Sequence, residues 1–170
     1  MSIVRIDMSA LDAFKTFVAG KRVTVLGLGL LGRGVGDAVF LAECGAIVTV
    51  TDKKTETELA ESVARLKHYP NISFHLGGHV PEDFTDGDLV IKAAGVRLDS
   101  MEVAVARKAG VPVMMSTALF AKYAMEAGAT IVGVTGTRGK STVTQMIFET
   151  LKAVGKNVLL GGIFTKCFFV

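Results

Sequence analysis

Short apolar runs alternate along this chain with longer stretches in which apolar positions recur every three or four residues; the first pattern marks buried strands and the second amphipathic helices. Residues 22–26 and 47–50 are β-branched runs, and 33–44 between them has helical spacing that ends at Gly45. The pattern continues with strands predicted at 72–75, 88–91 and 111–114, and helices at 56–67, 100–109 and 117–126. A leading helix at 9–19 sets Leu11, Phe14, Phe17 and Val18 at helical spacing before Gly20 stops it, and should cap the domain that follows. Strands joined by crossover helices imply a mainly parallel sheet covered on both faces. That is a doubly wound, Rossmann-like α/β fold with ligands at the carboxyl ends of the strands.

Gly128 reads as a boundary, dividing a first domain at 1–128 from a second at 129–170. After it come a predicted strand at 130–134, a glycine-rich loop, a helix reaching 154, Gly155 as its C-cap and a strand at 157–160. This is the first βαβ unit of a P-loop ATPase domain; about 40 residues cannot bury their own apolar faces, so the unit reads as incomplete.

The loop is Thr135-Gly136-Thr137-Arg138-Gly139-Lys140-Ser141-Thr142. Gly136 and Gly139 let the backbone turn its N–H groups inward, and the helix behind presents its positive end to the same anion. Lys140, the candidate catalytic residue, would reach the β- and γ-phosphates of ATP; the Ser141 hydroxyl is placed for Mg2+, and Thr142 sits at the same terminus. The loop is a variant, with Val134 where a glycine is usual and Gly133 one residue earlier.

A second glycine motif, Gly27-Leu28-Gly29-Leu30-Leu31-Gly32, follows the first strand, and Asp52 ends the second strand 20 residues after Gly32. Alone it fits a dinucleotide fingerprint, with pyrophosphate at a helix terminus and a carboxylate on a ribose hydroxyl. An NAD(P)-dependent oxidoreductase or sensor, or a non-catalytic nucleotide-binding module, therefore stays open on this motif.

Composition narrows the classes. Half the residues are apolar and the net charge is +3, with acids and bases scattered and no basic block of the kind that tracks nucleic acid. No run approaches the roughly 20 apolar residues of a membrane helix. Cys44 and Cys167 fit no metal spacing, and the first residues lack the pattern of a secretion signal, so a reducing cytoplasm is expected. His75 and His79, separated by Gly77 and Gly78, read as solvated loop histidines. Glu82, Asp83, Asp86 and Asp88 read as a solvated acidic turn, Cys44 as a core residue, and Met101, Met114, Met115 and Met125 as core filling.

The run Val132-Gly133-Val134-Thr135-Gly136-Thr137-Arg138-Gly139-Lys140-Ser141-Thr142 is similar to the ATP-binding signature of the Mur ligases, which join an amino acid to a carboxylate; Arg138 stands where that family most often has Asn. The turn at 26–32 resembles the branch of that family that adds D-glutamate. The resemblance implies UDP-N-acetylmuramoyl-L-alanine and D-glutamate as substrates, with ATP and Mg2+, in peptidoglycan precursor synthesis by a cytoplasmic monomer. By the same resemblance Gly136, Thr137, Arg138, Gly139, Lys140, Ser141 and Thr142 hold ATP, while Gly29, Leu30 and Leu31 lie against the uridine diphosphate. Asp52 and Lys53 would close over the uracil, and Gly95 would line the cleft. Ala93-Ala94-Gly95 replaces the usual Ser-Pro-Gly, which removes contacts from that serine. The family also relies on a second magnesium-binding acid, a modified lysine and a third domain, so this chain by itself is expected to be inactive as a ligase. Resemblance stops near Gly162. There Ile163 replaces an asparagine, and the tail through Phe168 and Phe169 to Val170 reads as the end of a truncated or frameshifted frame.

Overall fold

The computed structural model describes residues 8–28, 33–126 and 128–160. Strands β1 (Arg22–Leu26), β2 (Ile47–Asp52), β3 (Ile72–Leu76), β4 (Leu89–Lys92) and β5 (Val113–Met114) form one sheet in the order β3-β2-β1-β4-β5. Every pair is parallel, and Val25 of β1 lies between Val50 of β2 and Ile91 of β4. The order reverses direction at β1, and that switch point opens a crevice at the carboxyl ends of β1 and β4.

Helices α1 (Met8–Val18), α2 (Arg33–Glu43), α3 (Ala60–Leu66), α4 (Glu82–Thr85), α5 (Met101–Lys108) and α6 (Ser116–Glu126) accompany the sheet. Alternation along the strands divides the core in two. Val23, Val25, Leu89 and Ile91 join Phe14, Val35, Leu41, Val48, Val50 and Leu66, whereas Leu26 and Val90 join Phe84, Ala106 and Val111. Thr24, on the second face, satisfies its buried hydroxyl by donating to the Asp83 carbonyl at 2.5 Å. The leading helix does cover the domain: α1 packs on α6, with the Phe14 ring edge-on to Tyr123 at 5.1 Å and stacked on Phe40 at 5.3 Å.

Helix ends follow their glycines. At Gly45, Gly110, Gly128 and Gly155 the glycine N–H bonds back three residues and the next N–H bonds back five, the paired closure that a left-handed residue allows. The predicted helix 56–67 starts later, at Ala60. Thr55 and Glu58 bond each other reciprocally through backbone N–H and side chain and hold 55–59 as a turn. Strand 111–114 shortens to β5 because the Val111 N–H closes the end of α5 on Ala106 O.

Other expectations are corrected. Residues 82–85 form α4 instead of a wholly solvated acidic turn, and Asp83 is buried because its neighbour Phe84 anchors the second core. Met101 and Met125 are 79% and 57% exposed, so they fill no core; Cys44, at 6%, does. Residues 130–134 and 157–160 are not strands: a strand exists by its ladder, and neither segment has a paired neighbour among the described residues. Between them runs α7 (Lys140–Ala153), none of whose side chains is buried. No helix among the described residues is long and apolar enough to cross a membrane.

Candidate nucleotide cleft and phosphate loop

Three strand ends meet at the switch point. The Gly27 N–H donates to Thr51 O at 2.8 Å and the Ala93 N–H to Leu26 O at 2.9 Å, which ties the residues after β1 to β2 and β4. Gly27 has φ 88°, and a Cβ there would come within 3.3 Å of the Ala93 Cβ, so only glycine makes this turn without strain. Leu28 is fully buried, and its N–H donates to Asp52 Oδ2 at 2.9 Å, while Lys54 N–H donates to Oδ1 at 3.0 Å. Asp52 thus joins the glycine turn to the end of β2 and keeps further acceptor positions for a ligand.

Gly29, Leu30, Leu31 and Gly32 lie outside the described residues, and the closest approach among the described ones is at Gly34. Its N–H donates to Leu28 O at 3.1 Å, and an added Cβ would lie 2.6 Å from both Gly27 O and Leu28 Cα.

A cleft of about 320 Å³ opens here, lined by residues that include Gly27, Asp52, Lys53, His79, Gly95 and Glu102. Of the residues expected to hold the uridine nucleotide, Asp52, Lys53 and Gly95 therefore share one cavity. The 93–96 turn that carries Gly95 is held by Lys92. Its ammonium, on a residue only 7% exposed, donates to Val96 O at 2.9 Å and Ala93 O at 3.3 Å, as a buried cation requires.

His79 and Glu102 are among the cleft residues that sequence reasoning missed. The Gly77 N–H bonds both Asp52 O and Lys54 O, at 3.1 and 2.8 Å, and this folds the following loop back against β2. His79 is consequently not solvated: its side chain is 11% exposed, with Nδ1 2.8 Å from the Thr51 hydroxyl and its ring edge-on to Phe84. Burial pushes its pKa below the ordinary imidazole value. His75 is half exposed as expected, yet it pairs through Nδ1 with Asp83 Oδ1 at 2.5 Å. Glu102 sits in the first turn of α5, which Ser100 caps by accepting from Val103 N–H at 3.4 Å. The Lys53 ammonium lies 2.9 Å from Glu102 Oε1, and this bond, aided by a backbone N–H and the Ser100 hydroxyl, lowers the Glu102 pKa to about 2.

The second candidate site is the loop before α7. Gly136 has φ 148° and Gly139, the N-cap, φ 76°, so both glycines occupy conformations that suit them. No side chain caps α7, and its first N–H groups have no partner within the helix, which fits an anion at this end. Lys140 folds back to donate from Nζ to Gly136 O at 2.5 Å, and Thr137, Arg138, Ser141 and Thr142 are exposed. The donor set of backbone N–H groups, an ammonium and the Ser141 hydroxyl suits a polyphosphate with its magnesium ion.

The family model "Mur ligase MurD-like, N-terminal domain" matches residues 21–115, the sheet and cleft described above. The UDP-N-acetylmuramoylalanine--D-glutamate ligase of Anaeromyxobacter dehalogenans is 42% identical over 143 residues, covering 84% of this chain and 29% of that protein. The protein of the same name from Treponema pallidum is 35% identical over 153 residues, covering 89% of this chain and 28% of that one. The chain therefore spans under a third of the length of these relatives.

Proposed function

The chain belongs to the MurD-like branch of the Mur ligases, and from that premise we propose that it is the nucleotide-handling front of an ATP-dependent amide ligase of peptidoglycan precursor synthesis. The substrates are UDP-N-acetylmuramoyl-L-alanine, ATP and D-glutamate, and the setting is cytoplasmic. The single observation that carries this reading is the cleft at the switch point. It draws Gly27, Asp52, Lys53 and Gly95 from three strand ends around a cavity of about 320 Å³, where a doubly wound sheet binds its ligand.

In this reading the uridine diphosphate lies in the cleft, its phosphates toward the start of α2. The loop at 135–142 takes the triphosphate. There Lys140 releases Gly136 O and turns its ammonium to the β- and γ-phosphates, while the N–H groups at the start of α7 face the same oxygens. Mg2+ at Ser141 would supply charge neutralisation on the phosphates. The substrate carboxylate attacks the γ-phosphorus and ADP leaves with the bond electrons; the amine of D-glutamate then attacks the acyl carbon, expelling phosphate and losing a proton. Lys140 and the loop N–H groups offset charge on the transferring phosphoryl group.

The test is amide chemical-shift mapping on the chain. UDP-N-acetylmuramoyl-L-alanine should perturb Gly27, Lys53 and Val96, and Mg-ATP should perturb 136–142, the latter response lost in Lys140→Ala. Shifts at the α7 loop with the UDP-sugar and none in the cleft would overturn the assignment.

A further inference from the structure

A lysine and a histidine face one carboxylate oxygen in the cleft. Lys53 Nζ lies 2.9 Å from Glu102 Oε1, and His79 Nε2 stands 3.8 Å from the same atom, beyond a hydrogen bond. The three side chains differ sharply in freedom: Lys53 is 74% exposed, whereas Glu102 and His79 are 13% and 11%. Glu102 is fixed at the start of α5, and His79 is held by the Thr51 hydroxyl, 2.8 Å from Nδ1, and by the edge-on Phe84 ring. The other acids near the imidazole have partners of their own. Asp52, at the end of β2, accepts two backbone N–H groups, and Asp83 of α4 pairs through Oδ1 with His75 of β3.

A neutral imidazole at His79 needs no counter-charge, and Glu102 then keeps Lys53. An imidazolium in the same place loses most of its hydration, and Glu102 Oε1 is only about 1 Å beyond the distance of a charge-assisted bond. Thr51 serves both states, since its hydroxyl donates to a bare Nδ1 and accepts from a protonated one. Lys53 loses little by leaving, because its exposed arm reaches water. We propose that Glu102 is a shared carboxylate: a proton taken up by His79 transfers Glu102 from Lys53 to the imidazolium and releases the Lys53 ammonium into the cleft. Acid thereby turns a neutral ammonium–carboxylate pair into a free cation facing the ligand space, and the cleft gains one positive charge. The influences on the ring agree with this arrangement, since burial holds it neutral, Glu102 favours its proton and Lys53 opposes it.

Two-dimensional NMR of the ligand-free chain from pH 8 to pH 4, reading the His79 ring and the Lys53 Cε methylene, tests the exchange in wild type, Lys53→Ala, Glu102→Gln and His79→Asn. Exposure of Lys53, the isosteric change at Glu102 and an amide left beside Thr51 make the variants compatible with folding. In wild type the Lys53 signal should step at the His79 midpoint toward the position it holds throughout in Glu102→Gln, and the step should be absent from His79→Asn. Removing the competing cation in Lys53→Ala should raise the His79 midpoint by about 0.5 in pH, and removing the shared acid in Glu102→Gln should lower it by a similar amount. A Lys53 signal that stays flat through the His79 midpoint, a step that survives in His79→Asn, or a His79 midpoint unmoved by Glu102→Gln would overturn the inference. No nucleotide is present, so such a failure is distinct from a failure of the nucleotide reading.

Discussion

Replacing Gly34 by alanine tests the packing that creates the cleft. The new Cβ would lie 2.6 Å from Gly27 O and Leu28 Cα and 2.7 Å from Leu28 O, up to 0.8 Å short of the 3.4 Å at which ordinary contact begins. All three atoms are backbone, and Gly27 O and Leu28 belong to the turn that Asp52 and Thr51 hold in place, so no side chain can swing away. Overpacking of this kind costs about 1–3 kcal/mol, and the rigidity of the turn favours the upper end. Alanine returns about 1 kcal/mol through helix propensity and reduced unfolded-state entropy. A net loss of about 2 kcal/mol corresponds to a fall of roughly 4–8 °C in Tm for a chain of this size. Thermal unfolding followed by circular dichroism measures it, with Gly78→Ala as control, because nothing lies within 4 Å of a Cβ at that position. A Gly34→Ala protein that melts within about 1 °C of wild type, or above it, would refute the close-approach account.

Glu102 makes stability depend on acid. Its pKa is lowered to about 2, chiefly by Lys53, so its contribution is complete above its unfolded value near 4.5 and is lost as pH falls from there toward 2. Lys53→Ala should therefore be less stable than wild type at pH 6 by at most about 1 kcal/mol, given the exposure of the lysine, with the gap narrowing at pH 3; urea titrations at both pH values check it. Burial raises the Cys44 thiol pKa, and the residue is 6% exposed, so native-state alkylation at pH 8 should spare it until the chain unfolds; peptide mass spectrometry separates it from Cys167. Because α7 buries none of its side chains, the segment carrying it should exchange amide hydrogens far faster than β1 and β4, which hydrogen-exchange mass spectrometry resolves.

Much of the fold was legible because it is written in local pattern. The β-branched runs that became β1 and β2, the helical spacing of α2, and Gly45 at its end each depend on near neighbours, and a parallel sheet follows from their alternation. What escaped depends on residues far apart in sequence. His79 is buried only because Gly77 bonds back to the end of β2, 25 residues earlier, and Glu102 enters the cleft only because α5 starts beside Lys53. Nothing in the spacing of glycines singles out Gly34, since its constraint is how closely a helix passes a turn. The loop at 135–142 is a local motif and so shows in the sequence, while the segments predicted as strands on either side of it have no paired neighbour among the described residues, and a strand needs a partner as well as an apolar run.

In the proposed function the cleft takes a uridine nucleotide rather than a nicotinamide dinucleotide. Parallel isothermal titrations of the chain with UDP-N-acetylmuramoyl-L-alanine and with NADH decide it: saturable binding of the UDP-sugar with no heat from NADH is the predicted result, and NADH binding without the UDP-sugar would contradict it.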